Sequence, residues 1–186
     1  MHISPRNKKS AVHCDILYHN VVNLLLEAEK KTVQFRKKTG IFCPEGCGDC
    51  CRDEHPKDAI LALLPAAQWI IDQNLADHFL DLAQSDLEGQ CVFYNSDNNK
   101  HCRIYFLRPM ICRLFGYAGR IDKYGGLNFR SCRRLADHIP EFIPMPPIYS
   151  DYQFRLIGLY PPLSRIILPI NTALVKAVEW ILFRNE

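Results

Sequence analysis

The sequence predicts a mainly α-helical protein: a single small helical domain whose cysteine-rich loops form a metal centre. Apolar residues recur near the helical period over much of the 186-residue chain, and strand-like runs are short. Nine cysteines concentrate mostly between the helical stretches. Hydrophobic residues make up 48% of the chain and charged residues 23%, which is typical of a globular protein with a true apolar core.

The first helix is expected over residues 12–38, after a polar lead, residues 1–11, that is expected to be disordered. Leu24, Leu25 and Ala28 recur at helical spacing within it. Gly40 follows a basic last turn, at the position where a glycine commonly ends a helix. The basic charges of that turn are interpreted as a solvated face, because no aromatic residues are interleaved with them.

The first cysteine region, residues 43–51, reads Cys-Pro-Glu-Gly-Cys-Gly-Asp-Cys-Cys. Its two glycines allow the tight turns that direct several sulfur atoms towards one centre. Soft thiolates at such short spacing select zinc, Cu(I) or iron–sulfur clusters. The region therefore indicates a metal site.

Packing elements are predicted next. The apolar run 59–64 is compatible with an extended segment, and Pro65 suits the first turn of a helix that continues through Trp69 to Ile71. Residues 75–83 are expected to form a second helical piece.

The second cysteine region, residues 89–113, contains a strong turn signal at residues 96–99. This turn would bring Cys91 and Cys102 together as arms of a hairpin-like loop. A second turn at residues 122–126 precedes Cys132.

The remaining chain is a proline-rich connector, residues 140–147, and a helical C-terminal extension, residues 149–186. Breaks are expected at Pro161 and Pro169. The most apolar stretch, residues 166–182, contains a proline and two charged residues, so no transmembrane helix is predicted.

Reduced thiols explain the cysteines better than disulfides do. Their number is odd, and the adjacent Cys50 and Cys51 cannot easily bridge each other. The first ten residues lack the apolar region of a signal peptide, so a cytoplasmic protein is expected. Cys14 lies within the first helix and is interpreted as a core residue.

Eight cysteines are candidate ligands for zinc or iron, including an iron–sulfur cluster. They are Cys43, Cys47, Cys50, Cys51, Cys91, Cys102, Cys112 and Cys132. They could form two four-thiolate sites, one multinuclear centre, or one cluster with spare thiols.

Other polar residues near the cysteines are weaker candidates for a role in the metal centre. His55 and His101 could supply nitrogen ligands, although such residues more often lie at the surface. Asp49 and the acidic pair 53–54 are expected to be solvated. Arginines flank the later cysteines, where they would form ion pairs or offset thiolate charge; they are Arg103, Arg108, Arg113, Arg133 and Arg134. Arg108 is favoured for the second role.

Two classes of function are disfavoured. The spacing of Cys43, Cys47 and Cys50 is similar to that of radical S-adenosylmethionine enzymes, but the chain lacks their alternating strands and helices. A net charge of +3 is too mild to indicate a nucleic-acid partner.

The cysteine segment resembles the CxxCxxCC cysteine-cluster family (YkgJ-like) of zinc- or iron-chelating proteins. The resemblance covers residues 41–135 and rests on Cys47-Gly-Asp-Cys50-Cys51-Arg and on Cys102-Arg-Ile-Tyr-x-x-Arg108-Pro109-x-x-Cys112-Arg113. The chain has three residues between Cys43 and Cys47, where the family usually has two. By this resemblance, the eight cysteines would form the metal centre.

The resemblance leaves the reaction and the partner open. Some relatives resemble flagellin lysine N-methylases, which makes an iron- or iron–sulfur-dependent enzyme an alternative. A structural zinc adaptor for a protein or nucleic-acid partner is a further alternative. Metal binding is the function that the sequence itself predicts.

Overall fold

The computed structural model describes residues 8–52, 56–85, 89–95, 102–129 and 131–183. Several predictions fall outside these ranges: the ligand candidates His55 and His101, the solvated acidic pair 53–54, and the turn at residues 96–99. The side chain of Cys14 is likewise not described.

The mainly α-helical prediction is confirmed. In the described residues the helices are α1 Lys8–Thr39, α2 Asp49–Arg52, α3 Leu64–Asp72, α4 Ala76–Ser85, α5 Met110–Leu114, α6 Tyr149–Leu159, α7 Pro161–Ser164 and α8 Ile170–Phe183. The strands are β1 Lys57–Ala59, β2 Gly119–Ile121, β3 Leu127–Phe129 and β4 Ile167–Pro169. None of these helices combines the length and apolarity needed to cross a membrane.

Helix α1 is longer than predicted at its N-terminal end. It begins at Lys8 and so includes residues 8–11 of the expected lead, while residues 1–7 lie outside the described part. Its predicted end is confirmed at Gly40, whose φ is +71° and whose N–H donates to the carbonyl of Arg36 at 2.9 Å. Glycine reaches this left-handed conformation without the steric cost that a Cβ atom imposes.

The apolar run 59–64 is extended only at its first residue. Strand β1 ends at Ala59, and a 3₁₀ turn, Ile60–Leu63, leads directly into α3. All four side chains of this turn are buried, whereas a strand would direct alternate residues to opposite faces. Pro65 lies in the first turn of α3, as predicted.

The described strands form two small antiparallel sheets. One joins segments that are far apart along the chain, and the other is a local hairpin. Strand β1 pairs with β4, with Asp58 opposite Leu168. Strands β2 and β3 form a hairpin around the predicted turn, with Arg120 opposite Asn128. In the C-terminal segment, Pro161 begins α7 and Pro169 ends β4, so both expected breaks are present.

In the part of the chain that the structure describes, the buried apolar residues form two clusters of unequal size. The large cluster is built mainly from α1, α3, α6 and α8 and continues through the 3₁₀ turn before α3. The small cluster contains four buried residues: Phe35, Ile41, Tyr117 and Leu135. Helix α1 contributes to both clusters and therefore links them.

Candidate metal centre

All eight predicted cysteines line one cavity of about 510 Å³. They come from the loop after α1, from α2, from the loop before α5, from α5 itself and from the loop after β3. Cysteines separated by up to 89 positions are thus brought to one place by the fold.

The first cysteine region is partly helical, not an open loop as expected. Cys50 and Cys51 lie on α2, where the carbonyl of Gly48 accepts the N–H groups of Cys51 at 2.9 Å and Arg52 at 3.1 Å. Gly46, with φ of +71°, makes the turn before this helix. The short helix places two adjacent thiols side by side, with 4.0 Å between their Sγ atoms.

A backbone hydrogen bond and a buried asparagine join the two cysteine regions. The N–H of Cys91 donates to the carbonyl of Cys51 at 2.8 Å. Asn171 of α8 accepts from the N–H of Val92 at 3.0 Å and donates to the carbonyl of Gln90 at 2.8 Å. Sequence reasoning missed Asn171; its signal is a polar residue among the apolar positions of a helix that packs in the core.

The segments that bear Cys91 and Cys102 lie side by side, as expected of the arms of a hairpin-like loop, and Cys102 is opposite Tyr94. Tyr94 and Cys102 form an isolated antiparallel bridge, and the N–H of Arg103 donates to the carbonyl of Phe93 at 2.9 Å.

Cys112 lies on helix α5, where a buried carboxyl group holds the helix. Asp58 of β1 accepts the N–H of Ile111 at 2.7 Å and that of Ala59 at 2.8 Å. It therefore satisfies a donor of the first helical turn from a distant strand. Burial raises the pKa of Asp58 to about 7, although these hydrogen bonds favour its charged form.

Cys43 and Cys132 lie beside Tyr117. The N–H of Cys43 donates to the Tyr117 hydroxyl at 2.8 Å. Gly116 has φ of +78°, and a Cβ atom there would lie 3.4 Å from the Cβ of Cys132. The Ser131 hydroxyl donates to the Gly116 carbonyl at 2.8 Å, which holds the Cys132 loop against this turn.

Ion pairs surround the cavity. Glu29 of α1 accepts from Arg108 at 3.3 Å and from Arg113 at 3.1 Å. Arg108 also stacks on Tyr105, with its guanidinium carbon 3.8 Å from the ring centre. Both arginines therefore form ion pairs, as one of the two interpretations predicted. Both also line the cavity beside the thiols.

Asp49 is not simply solvated as expected. It pairs with Arg52 at 3.3 Å, with Arg133 at 3.5 Å and with Arg134. These arginines hold the pKa of its carboxyl below the ordinary value, mainly through the Arg134 hydrogen bond. The pairs are largely exposed, so their contribution to stability is small.

The match to a known family follows this arrangement of cysteines. A family model named CxxCxxCC, described as a putative zinc- or iron-chelating domain, matches residues 42–133. Residues 42–133 of the chain therefore belong to the CxxCxxCC family. No curated protein and no solved structure gives a match.

Burial raises the pKa of several thiols in the cavity. The pKa of Cys43 is raised to about 12 by burial and by the neighbouring thiols of Cys47, Cys132 and Cys50. For Cys112, burial raises the pKa well above the ordinary value. A metal ion binds thiolates, so it must displace these protons when it enters the cavity.

The pKa values of the Cys51 and Cys102 thiols are raised as well. A hydrogen bond with Cys50 lowers the pKa of Cys51, but a hydrogen bond with Cys91 and burial outweigh it and raise the pKa to about 12. Burial also raises the pKa of Cys102, against the opposing charge of Arg108.

The CxxCxxCC thiols line one cavity, but their sulfur atoms are not arranged around a single metal position. Among the described residues, no group of three histidine, cysteine or acidic side chains has the arrangement needed to hold a metal ion. The donor set nevertheless fits a soft metal, because eight sulfur atoms line the cavity.

Helix α1 contributes cavity residues that sequence reasoning missed. Glu29, Thr32 and Arg36 lie at positions i, i+3 and i+7, so they share one face of the helix, and all three line the cavity. The available signal was polar residues at helical spacing beside the buried Ala28 and Phe35.

Proposed function

We propose that this CxxCxxCC protein binds zinc or iron through the thiolates of its eight cavity cysteines. The supporting observation is that all eight sulfur-bearing side chains line one cavity, although they come from two separated regions of the chain. Zinc and iron–sulfur clusters are both commonly held by four cysteine thiolates. Each metal would supply positive charge that replaces the thiol protons.

The surrounding residues support this assignment through their charge. Thiolates carry negative charge, and Arg108 and Arg113 lie in the wall of the cavity. Arg113 is only 4% exposed, and its hydrogen bonds to the carbonyls of Arg108 and Phe106 hold its guanidinium in place. Such cations lower the cost of concentrating thiolates at one site.

The test is metal content after anaerobic purification, followed by titration of the reduced metal-free protein with Zn²⁺ and Fe²⁺. Elemental analysis and the absorption spectrum then distinguish the metals, because zinc thiolates lack the visible absorbance of iron thiolates. We expect tight binding of one of these metals, and loss of bound metal in the Cys47→Ser and Cys102→Ser variants.

Cys14→Ser is the matched control, because this ninth cysteine is predicted to be a core residue and not a ligand. The control should keep the full metal content. A reduced protein that binds neither zinc nor iron, or a Cys14→Ser variant that loses as much metal as the other two, would contradict the proposal. The lysine N-methylase-like enzyme and the zinc adaptor stay predictions, since no observation on this cavity favours either.

A further inference from the structure

We infer that the cavity holds two metal ions, each bound by four of the cysteines. The first set is Cys43, Cys47, Cys50 and Cys132, and the second set is Cys51, Cys91, Cys102 and Cys112. This inference rests on the proposed function and adds the number of ions, the division of ligands and the arginine that serves each set.

The two apolar clusters separate the cysteines first. Cys132 packs against the small cluster, and Cys43 is hydrogen-bonded to Tyr117 of that cluster. By contrast, Cys91, Cys102 and Cys112 pack against the large cluster. The thiols of one cavity therefore belong to two different parts of the core.

The neighbours of each thiol give the same division. Cys47, Cys132 and Cys50 are the thiols that act electrostatically on Cys43. The backbone hydrogen bond from Cys91 to Cys51 joins these two residues, and Cys91, Cys102 and the adjacent Cys50 all act electrostatically on the Cys51 thiol.

Cys112 and Cys50 complete the two sets. Cys112 packs against the large cluster, as Cys91 and Cys102 do, and Cys50 is among the thiols that act on it electrostatically. Cys50 borders both sets, and assigning it to the first set gives each ion the four ligands of a tetrahedral site.

The spacing of the two adjacent cysteines is compatible with this division. Their sulfur atoms lie 4.0 Å apart on one short helix. Adjacent residues leave a helix in directions about 100° apart, so rotation of the two side chains can present one thiol to each set.

Each set also has its own arginine with an unused donor. The Nε–H groups of Arg36 and Arg108 are buried, and neither has a hydrogen-bond partner among the described residues. The Arg36 guanidinium carbon is 5.1 Å from the centre of the Phe42 ring and 5.4 Å from that of Tyr117, which places it beside the first set.

Arg108 lies beside the second set, where its charge interacts with Cys112 and Cys102, and it also interacts with Cys50 at the border of the two sets. The buried hydroxyl of Thr32, which is 2% exposed, also lacks a partner and lines the same cavity. Thiolate sulfur atoms in the loaded protein would accept these hydrogen bonds. Arg36 and Arg108 are thus positioning residues for the first and second sets, respectively.

The test counts zinc ions by native mass spectrometry on the reduced full chain loaded with Zn²⁺. The wild type should bind two ions. Cys132→Ser should remove the first and Cys91→Ser the second, so that each variant keeps one ion. Cobalt substitution gives a second readout, because the sulfur-to-cobalt charge-transfer band should fall by about half in each variant.

Arginine variants test the division even where a cysteine variant fails to fold. Arg36→Gln should weaken binding of one ion by about 10–100-fold and Arg108→Gln that of the other, as is typical when a partner of a ligand is removed. Arg165→Gln, at an exposed position outside the cavity, is the matched control and should change neither affinity.

Different results would contradict the division into two sets and the proposed metal binding. A wild type that binds one ion, or a folded Cys132→Ser or Cys91→Ser variant that loses both ions together, overturns the division into two sets and leaves metal binding intact. A reduced wild type that binds no zinc and no iron overturns the proposed function itself, and the division with it.

Discussion

Asp58 shows how one buried residue supports the cysteine cavity from outside it. Its carboxyl is 3% exposed and accepts hydrogen bonds from β1 and from the first turn of α5, the helix that bears Cys112. The charge of Asp58 helps to raise the pKa of two neighbouring groups, Cys112 and Tyr149. Asp58 therefore links strand pairing to the position of one cavity thiol.

The raised pKa of Asp58 predicts a specific dependence of stability on pH. The folded-state pKa is about 7, above the ordinary value of 3.8. Between these values the unfolded chain ionises Asp58 while the folded chain keeps it protonated, so the folded state binds more protons. This residue's contribution to stability consequently decreases as pH rises from about 4 to about 7 and is constant above that range.

An Asp58→Asn substitution tests this point. The amide can accept one of the two N–H donors but directs its own N–H₂ at the other, so we expect a loss of about 2 kcal/mol near pH 4.5. The loss should narrow towards pH 7.5, because the wild type alone bears the ionisation cost there. Urea denaturation of the reduced metal-free proteins at each pH measures this difference in unfolding free energy. A difference that stays constant over this pH range would contradict the prediction; Asp151→Asn, at an exposed position, is the control.

At the scale of elements, α1 is the helix that both clusters share and that bears one wall of the cavity. It contacts α3, α5 and α6 along its length and contributes Phe35 to the small cluster near its end. Gly40 ends it with a positive φ of +71°, three residues before Cys43. The end of this helix thus sets where the first cysteine region starts.

A Gly40→Ala substitution should destabilise the protein by about 1 kcal/mol. No atom lies within 4 Å of a Cβ built there, so the cost is the left-handed backbone alone. Gly40→Asn should cost less, because asparagine tolerates this conformation better. Chemical denaturation measures both.

Gly158→Ala provides a control of opposite sign. Gly158 lies in α6, and a Cβ there also meets nothing within 4 Å. Alanine at this helical position should stabilise by about 0.5–1 kcal/mol. If Gly40→Ala were as stable as the wild type, the proposed role of the left-handed turn would be wrong.

For the whole molecule, the two clusters differ in how much they depend on a metal. The large cluster buries aliphatic side chains from helices that are far apart along the chain, and this burial stabilises the fold without any ligand. The small cluster has four buried residues and is bordered by Cys132. The metal centre should therefore matter most for the small cluster.

Metal removal should loosen part of the protein without unfolding it. We expect the zinc-free reduced protein to keep its far-ultraviolet helical signal and to melt at a lower temperature than the loaded protein. Hydrogen exchange should accelerate most at residues 41–52 and 131–135, and least in α3 and α8, whose amides provide an internal control. Complete loss of helical signal on chelation would contradict this expectation and favour the zinc-adaptor alternative.

Local chemistry determined much of this protein from the sequence alone. Helical periodicity, the glycine after α1 and the prolines of the C-terminal segment predicted most elements, because these signals act over a few residues. The eight thiols and the soft metals that suit them were also evident, since ligand preference is a property of the side chain itself. The helical placement of Cys50, Cys51 and Cys112 was not, because turn and helix signals are close to equal in such short segments.

Only the tertiary structure decided how the thiols are grouped and supported. Asn171 holds the Cys91 loop across 79 positions, Glu29 meets Arg113 across 84, and Asp58 meets α5 across 53. No local pattern encodes such contacts, because they depend on how the helices pack. That packing creates two apolar clusters in the described residues, with Cys91, Cys102 and Cys112 against the large one and Cys132 against the small one.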